Sequence, residues 1–392
     1  MAKTNIVAKT GNEAMAEAMR QVNPDVVAAY PITPATEVVQ IFSGFVADGL
    51  VDTEFVPVES EHSAMSACIG AAAAGGRAMT GTSSQGLALM AEMLFIAAGL
   101  RLPIVMADVN RTLSGPLNIH CDHSDTMMVR DSGWIQLFSE NAQEAYDNML
   151  QAVKIAEAAK LPVMVTTDGF IISHGMERIE MLDDADVKKF IGDYKPEHYL
   201  LNFDKLITIG GIDLQDYYFE HKRQEVEAMR KAGQIIIDIG KEYAKLSGRS
   251  YALFEEYKMD FAELAIIAMG STAGTSKVVV DSLRQNGVNA GLLKPRAFRP
   301  FPKDEMADAL KDVKAIAVLD RSDSMNAQEG PLCVEVKAAL FDKRLDKIVL
   351  NYVYGLGGRE VKLSDIEYVY NDLAEALKGK AKERVTYLGV RE

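Results

Sequence analysis

At 392 residues, with 48% hydrophobic and 25% charged side chains, the chain has an ordinary globular composition and is long enough for two or three domains. A formal net charge of -14 without any stripe of Lys and Arg argues against a nucleic-acid surface, and no apolar run approaches the length of a membrane span. Cys68, Cys121 and Cys333 are far apart and lack CxxC spacing, which argues against a disulfide scaffold, a zinc site or an iron–sulfur cluster held by this chain alone.

The N-terminus carries no basic-then-apolar signal pattern, so a cytoplasmic protein is expected. Gly11 to Val22 has helical spacing through Met15, Ala18, Met19 and Val22 and stops before Asn23-Pro24. Val26 to Tyr30 reads as a short strand, broken by Pro31-Ile32-Thr33-Pro34. Two prolines three apart fix an extended turn, which holds Thr33 at the strand's C-terminal edge either as a helix cap or as a ligand contact. A helix begins at Thr36-Glu37.

Pro57 to Met90 reads as one α/β unit: an Ala-rich helix from Glu61, a Gly75-Gly76 stop, a strand from Arg77 to Thr82, a tight turn at Ser83-Ser84-Gln85-Gly86 and a second helix. Glu61 therefore falls at a helix start just past a strand end, where open α/β sheets place ligands; Glu59, two residues away, shares the junction. Either could be a helix-start charge and nothing more. Leu102 to Val109 is an apolar strand followed by Asn110-Arg111. The Arg111 guanidinium suits a carboxylate or phosphate, with a structural salt bridge as the alternative. The loop that follows, Asn118 to Asp125, is rich in metal-capable side chains, but four such residues close in sequence rarely converge on one ion, and a hydrogen-bonded loop wall is expected.

A helix over Asn141 to Lys160 and a strand over Leu161 to Thr166 complete a pattern that predicts a doubly wound parallel sheet for residues 1–180. Residues 181–255 read as a linker with an exposed or interface helix, Glu220 to Gly248. A second α/β region spans 256–392, with a strand Leu264 to Met269, a glycine turn Gly270 to Gly274 able to take a phosphate or simply to close the junction, a helix from Ser276 and strands near Ala290 and over Ala315 to Asp320. Neither GxGxxG nor GxxxxGK[ST] is present, so neither a dinucleotide nor a nucleoside triphosphate is indicated. A carboxylate, a rigid Thr and an Arg at parallel strand ends, without a nucleophile–base pair, metal cage or phosphate cradle, amount to half a site.

At Tyr30-Pro31-Ile32-Thr33-Pro34, Glu59-Ser60-Glu61, Thr82-Ser83-Ser84-Gln85-Gly86, Asn110-Arg111, Asp122-His123-Ser124-Asp125 and Gly355-Leu356-Gly357-Gly358-Arg359 the sequence resembles the alpha subunits of the multi-subunit 2-oxoacid:ferredoxin oxidoreductases, most of all the pyruvate type. The resemblance covers nearly the whole chain. It implies a pyrimidine-binding domain for thiamine diphosphate followed by a transketolase C-terminal-like domain, with Mg2+, the diphosphate site and [4Fe-4S] clusters on beta, gamma and delta partner subunits of a heterotetramer. It implies oxidative decarboxylation of pyruvate with coenzyme A and ferredoxin, and no metal ligands here. It further implies that Glu61 binds N1′ of the aminopyrimidine, that Pro31 lies at the cofactor, and that Thr33 and Arg111 contact the substrate.

Asn118-Ile119-His120-Cys121 departs from the aromatic, cysteine-free form of many pyruvate enzymes, which keeps 2-oxoisovalerate and 2-oxoglutarate as alternatives. A 2-oxoglutarate relative usually carries its gamma domain ahead of this one, whereas this chain begins at the pyrimidine domain, and that favours pyruvate. A lipoamide-linked 2-oxoacid dehydrogenase or transketolase component and a non-catalytic scaffold are the rival classes.

Overall fold

The computed structural model describes residues 4–325, 328–380 and 385–391. A seven-stranded sheet runs in the order Ala297–Arg299, Ile135–Phe138, Val163–Asp168, Val105–Asn110, Ala78–Thr82, Val26–Ala29, Glu54–Pro57. All its neighbours are parallel except Ala297–Arg299, which pairs antiparallel with Ile135–Phe138. Alternation along the strands divides the side chains between two layers. Val27, Met79, Val105 and Val163 face a core shared with the Gly11–Val22, Thr36–Ala47 and Ala142–Ala159 helices. Ala28, Ala78, Met106 and Met164 face the Glu61–Ala74 and Ser84–Gly99 helices.

The order of strands creates a crevice. From Val26–Ala29 the chain leaves toward Glu54–Pro57, and from its neighbour Ala78–Thr82 it leaves the opposite way, toward Val105–Asn110. Loops that diverge from adjacent parallel strands leave a gap at their C-terminal ends. Pro31–Pro34 and Ser83–Ser84 lie at that gap.

A second, six-stranded sheet runs Val385–Leu388, Ile348–Tyr354, Ala315–Asp320, Leu264–Ile267, Ala290–Pro295, Phe254–Tyr257, parallel except for the last strand. The chain thus has the expected α/β architecture with parallel sheets. Several details differ from the sequence expectation. Ser83-Ser84-Gln85-Gly86 is no separate turn, because the helix begins directly at Ser84 behind Ser83. Thr4–Lys9 and Glu177–Leu182, too polar to read as core strands, form an antiparallel pair outside the main sheet. The second sheet already begins at Phe254, inside the expected connecting segment. The Tyr218–Ser247 helix buries Ala228, Ala232, Ile236 and Tyr243 in the first core, against Tyr146 and Met149.

Candidate functional site

Glu61 is the first residue of its helix, with Ser60 as N-cap: the Ser63 amide donates to Ser60 Oγ at 3.3 Å. Glu59 takes the Ser63 hydroxyl and is exposed, with its carboxyl held below the usual range chiefly by that hydrogen bond. Glu61 instead turns inward and is only 6% exposed. Gly86 on the next helix makes this possible, since a Cβ there would stand 2.6 Å from Glu61 Oε1 and 2.5 Å from Thr82 Oγ1. No described residue donates a hydrogen bond to the Glu61 carboxylate, and the neighbouring Thr82 and Ser83 hydroxyls are buried without partners. Buried polar atoms left this way in a native fold are uncommon, and a bound ligand or an ordered water completes such pairing.

Arg111 follows the Val105–Asn110 strand and is 8% exposed. Its Nε donates to Asn118 O at 3.1 Å and its Nη1 to Thr33 O at 3.0 Å, so the guanidinium pins the two crevice loops together. It makes no ion pair among the described residues, and burial draws its pKa below the usual value. Asp125 opposes that shift. The salt-bridge alternative is therefore not what the structure has. Thr33 is exposed; its hydroxyl caps nothing, because Ala35 precedes the Thr36–Ala47 helix and no side chain caps it. Pro31 is exposed beside it.

Asp125 lies between these groups and is fully buried. Its Oδ2 accepts from the Arg111 amide at 2.9 Å and the Ser84 amide at 3.1 Å; its Oδ1 accepts from Asn110 Nδ2 at 3.0 Å and the Thr126 amide at 2.8 Å. Burial pushes its pKa up to about 6 against the pull of those four donors. Asn110 Nδ2 also reaches Asp108 Oδ2 at 3.1 Å, and burial and the Asp125 charge push Asp108 well above the ordinary carboxyl range. Burial thus raises the pKa of both carboxyls of the pair, and Asn110 Nδ2 stands between them.

The rest of the polar loop forms a wall, as its residue types suggest. Asp122 Oδ1 accepts the Ser124 hydroxyl at 2.5 Å, and Asp122 Oδ2 accepts the Gly357 amide at 3.2 Å. Asn118 donates to Gly357 O at 3.1 Å and the Gly358 amide to Cys121 O at 2.7 Å, so the Gly355–Gly358 stretch seats on this loop. Gly358 has φ +80° and a Cβ there would meet His120 Cβ at 2.3 Å, so only glycine fits. Arg359 points elsewhere, to Gly389 O at 2.7 Å. A cleft of about 740 Å³ opens between the two sheets, lined by Thr112, Asn118 and Asp122 on one side and Ser322, Asp323 and Gly357 on the other.

Behind this wall lies a junction that residue-type reasoning did not anticipate. Asp168, at the end of the Val163–Asp168 strand, takes His123 Nε2 at 2.8 Å, Arg321 Nη1 at 2.8 Å, and the Ser271 amide at 3.0 Å and hydroxyl at 2.5 Å. Burial opposes its charge, but Arg321, His123 and Ser271 hold it ionised far below the usual carboxylate range. The Gly270–Gly274 turn, open to a phosphate on sequence grounds, therefore grips an internal carboxylate. Gly270 has φ +64°, and a Cβ there would stand 2.8 Å from Asp168 Oδ1. Cys121, His123 and Asp168 offer ligand atoms within 4.8 Å of one another, but Asp168 is already occupied by these donors. The signal that marked Arg111, a charged residue just past an apolar strand, was equally present at Asp168 and at Arg321 after Ala315–Asp320.

Residues 17–241 match the family described as "Pyruvate flavodoxin/ferredoxin oxidoreductase, thiamine diP-bdg", and residues 262–366 match "Pyruvate:ferredoxin oxidoreductase core domain II". The chain is 54% identical to "Pyruvate synthase subunit PorA" of Thermotoga maritima over 98% of both chains, and 49% identical to the subunit of that name from Methanocaldococcus jannaschii over 94% of both. It is 42% identical to "Ketoisovalerate oxidoreductase subunit VorA" of Pyrococcus abyssi over 96% of this chain and 95% of that one. Among solved structures, a 2-oxoglutarate:ferredoxin oxidoreductase from Magnetococcus marinus shares the fold with a TM-score of 0.73 at 21% identity; the match covers 94% of this chain and 65% of that longer one. With both halves matched by ferredoxin-linked families and near full-length relatives at this identity, the chain belongs to the pyruvate:ferredoxin oxidoreductase family and carries its thiamine-diphosphate-binding domain.

Proposed function

We propose that this chain is the alpha subunit of a cytoplasmic heteromeric enzyme that oxidatively decarboxylates pyruvate to acetyl-CoA and CO2 while reducing ferredoxin, in a reversible reaction. The observation that carries the reading is the buried Glu61 carboxylate at a helix start, without a donor among the described residues and facing the space that Gly86 keeps open. That environment fits the aminopyrimidine of thiamine diphosphate, whose ring nitrogen, when it carries a proton, would present the missing donor. The bound cofactor supplies the electron sink for breaking the bond between the carboxylate and carbonyl carbons of a 2-oxo acid. Glu61 holds the proton at the ring nitrogen, and its place at a helix N-terminus stabilises the charge it needs for this. Arg111, buried without a carboxylate partner among the described residues, binds the substrate carboxylate; the Thr33 hydroxyl, beside the carbonyl that Arg111 grips, orients it. Pro31 contributes to the cofactor wall.

Within this reading residues 1–180 form the pyrimidine-binding domain, 181–255 an interface segment and 256–392 the transketolase C-terminal-like domain. The beta subunit supplies the diphosphate and Mg2+ site, and the [4Fe-4S] clusters lie on the partner subunits, gamma and delta included. Exposed apolar side chains support such an assembly: Phe203 is 82% exposed, Leu206 79% and Ile212 90%, on a segment that water alone would not favour. Relatives acting on ketoisovalerate align as completely as the pyruvate ones, so 2-oxoisovalerate is the second reading; the higher identity to pyruvate synthase subunits supports pyruvate. The test is ferredoxin reduction by the purified complex with pyruvate, 2-oxoisovalerate and 2-oxoglutarate in competition. Preference for either larger acid overturns the pyruvate reading. Calorimetric titration of the isolated chain with thiamine diphosphate should show weak binding, and micromolar affinity without a partner would count against the half-site.

A further inference from the structure

We propose that Asp125 is a positioning residue that sets the distance between the substrate-binding Arg111 and the Glu61 cofactor cradle; this rests on the roles given to those two residues above. One carboxylate oxygen, Oδ2, takes the backbone amides of both Arg111 and Ser84. These amides begin the two segments that carry the site. Arg111 follows one strand and opens the loop to Asn118; Ser84 opens the helix whose Gly86 lies against Glu61. Ser84 Oγ adds a second tie, donating to Thr112 O at 2.6 Å.

The backbone around this contact is held away from its preferred state. Ser84 has φ +49°, in the left-handed region that a non-glycine residue keeps only where its surroundings impose it. The Ser84 amide in this conformation is the one that donates to Asp125 Oδ2, at 3.1 Å. Asp125 uses both oxygens as acceptors, two donors to each, which an ionised carboxylate accommodates and an amide or a protonated acid does not. Asn110 Nδ2 donates to both Asp125 Oδ1 and Asp108 Oδ2, so one amide bridges the pair. Asp125 touches neither crevice side chain. Its effect on chemistry runs through where it holds Arg111 and Ser84.

The experiment compares Asp125→Asn in the assembled complex with wild type by three readouts. The KM for the 2-oxo acid should rise by about 10-fold or more, the scale of losing a hydrogen bond to a charged group, because Arg111 moves. Thiamine diphosphate, titrated into cofactor-stripped complex, should bind more weakly because the Ser84 end moves too. In an Arg111→Met background the same change should add less than about 2-fold to the loss in kcat/KM, since coupled groups do not add. A fall in kcat with the KM and cofactor affinity unchanged, or equal effects in both backgrounds, overturns the proposal in favour of a merely structural aspartate. Should Asp125→Asn not assemble, Asp125→Glu is read the same way, and failure of both to assemble counts equally against it. An Arg111→Met that loses no efficiency would instead fail the substrate role of Arg111, while weaker cofactor binding in Asp125→Asn would still support the tie to the Glu61 cradle.

Discussion

Two clusters of charge sit at the C-terminal edge of the same seven-stranded sheet, and they are finished to different degrees. Around Asp168 the carboxylate itself is fully paired: Arg321, His123 and Ser271 satisfy it, and the contacts join the two sheets, although His123 Nδ1 and Arg321 Nε are buried without a partner among the described residues. Around Arg111 and Glu61 the counterparts are missing. A buried guanidinium has only backbone carbonyls, and a buried carboxylate has no donor among the described residues. The same residue types in the same kind of position thus do opposite things. A charge that is fully paired inside the chain holds the fold, and one left unpaired at a crevice is available to a ligand.

The largest expected effect comes from breaking the finished cluster. Asp168→Asn leaves the Arg321 guanidinium, only 3% exposed, without its carboxylate, and removing one partner of a buried ion pair costs about 3–5 kcal/mol. The unfolding midpoint of the assembled protein in denaturant should fall accordingly. Asp168→Asn with Arg321→Met together should cost much less than the sum of the two. The pH dependence follows from the depressed pKa of Asp168 in the folded chain. A group whose folded pKa lies below its unfolded value stabilises the fold at every pH above that unfolded value, roughly 4 for Asp, and loses the contribution as pH falls toward the folded value. Wild type and Asp168→Asn should therefore differ most at neutral pH and converge below about pH 4. A gap that stays constant through the acid range would mean that the Asp168 charge is not what holds the sheets together.

The unfinished cluster is broken by chemistry rather than by stability. Glu61→Gln keeps the shape but cannot carry the charge, and turnover of the assembled complex should fall by about 10²-fold or more, the usual scale for removing acid–base help. Glu59→Gln should do far less, because Glu59 is exposed and only touches Ser63. A larger loss at Glu59 than at Glu61 would show that the wrong carboxylate was assigned, and unchanged turnover in Glu61→Gln would remove its catalytic role.

The difference between the clusters also separates what the sequence disclosed from what it hid. Glu61 behind Ser60, Thr33 between prolines and Arg111 after an apolar strand are local arrangements, and local spacing located the helix start, the rigid turn and the strand end. Which of those side chains would find partners is a long-range matter. Asp168 and Arg321 stand 153 positions apart, and no periodicity links them. The Ala297–Arg299 strand, which joins the first sheet from within the second α/β region, was hidden for the same reason. Ser84 was missed differently. A Ser-Ser-Gln-Gly run has turn chemistry, but the helix starts at Ser84, two residues before Gly86, where the Ser84 amide meets Asp125.

Within the crevice, Arg111 and Thr33 should separate by size of effect. If Arg111 binds the substrate carboxylate as proposed, Arg111→Met removes a charge-assisted contact at a buried position, which costs roughly 2–5 kcal/mol, so kcat/KM for pyruvate should fall by about 30-fold or more.

Thr33→Val is the smallest expected change and the finest test of the comparison. The Thr33 hydroxyl is exposed and caps no helix, so the substitution removes no hydrogen bond among the described residues and keeps the β-branched shape. A neutral hydroxyl bond contributes about 0.5–1.5 kcal/mol net, so kcat/KM should drop by about 2- to 10-fold, with the unfolding midpoint unmoved. The Arg111 guanidinium already leans on the Thr33 carbonyl at 3.0 Å, so on the proposed reading both groups meet one ligand. Their losses in kcat/KM should then be less than additive in the double mutant. Full additivity would mean that the two do not share a carboxylate. A Thr33→Val that lowers stability and leaves kinetics untouched would move Thr33 out of the unfinished cluster and into the fold.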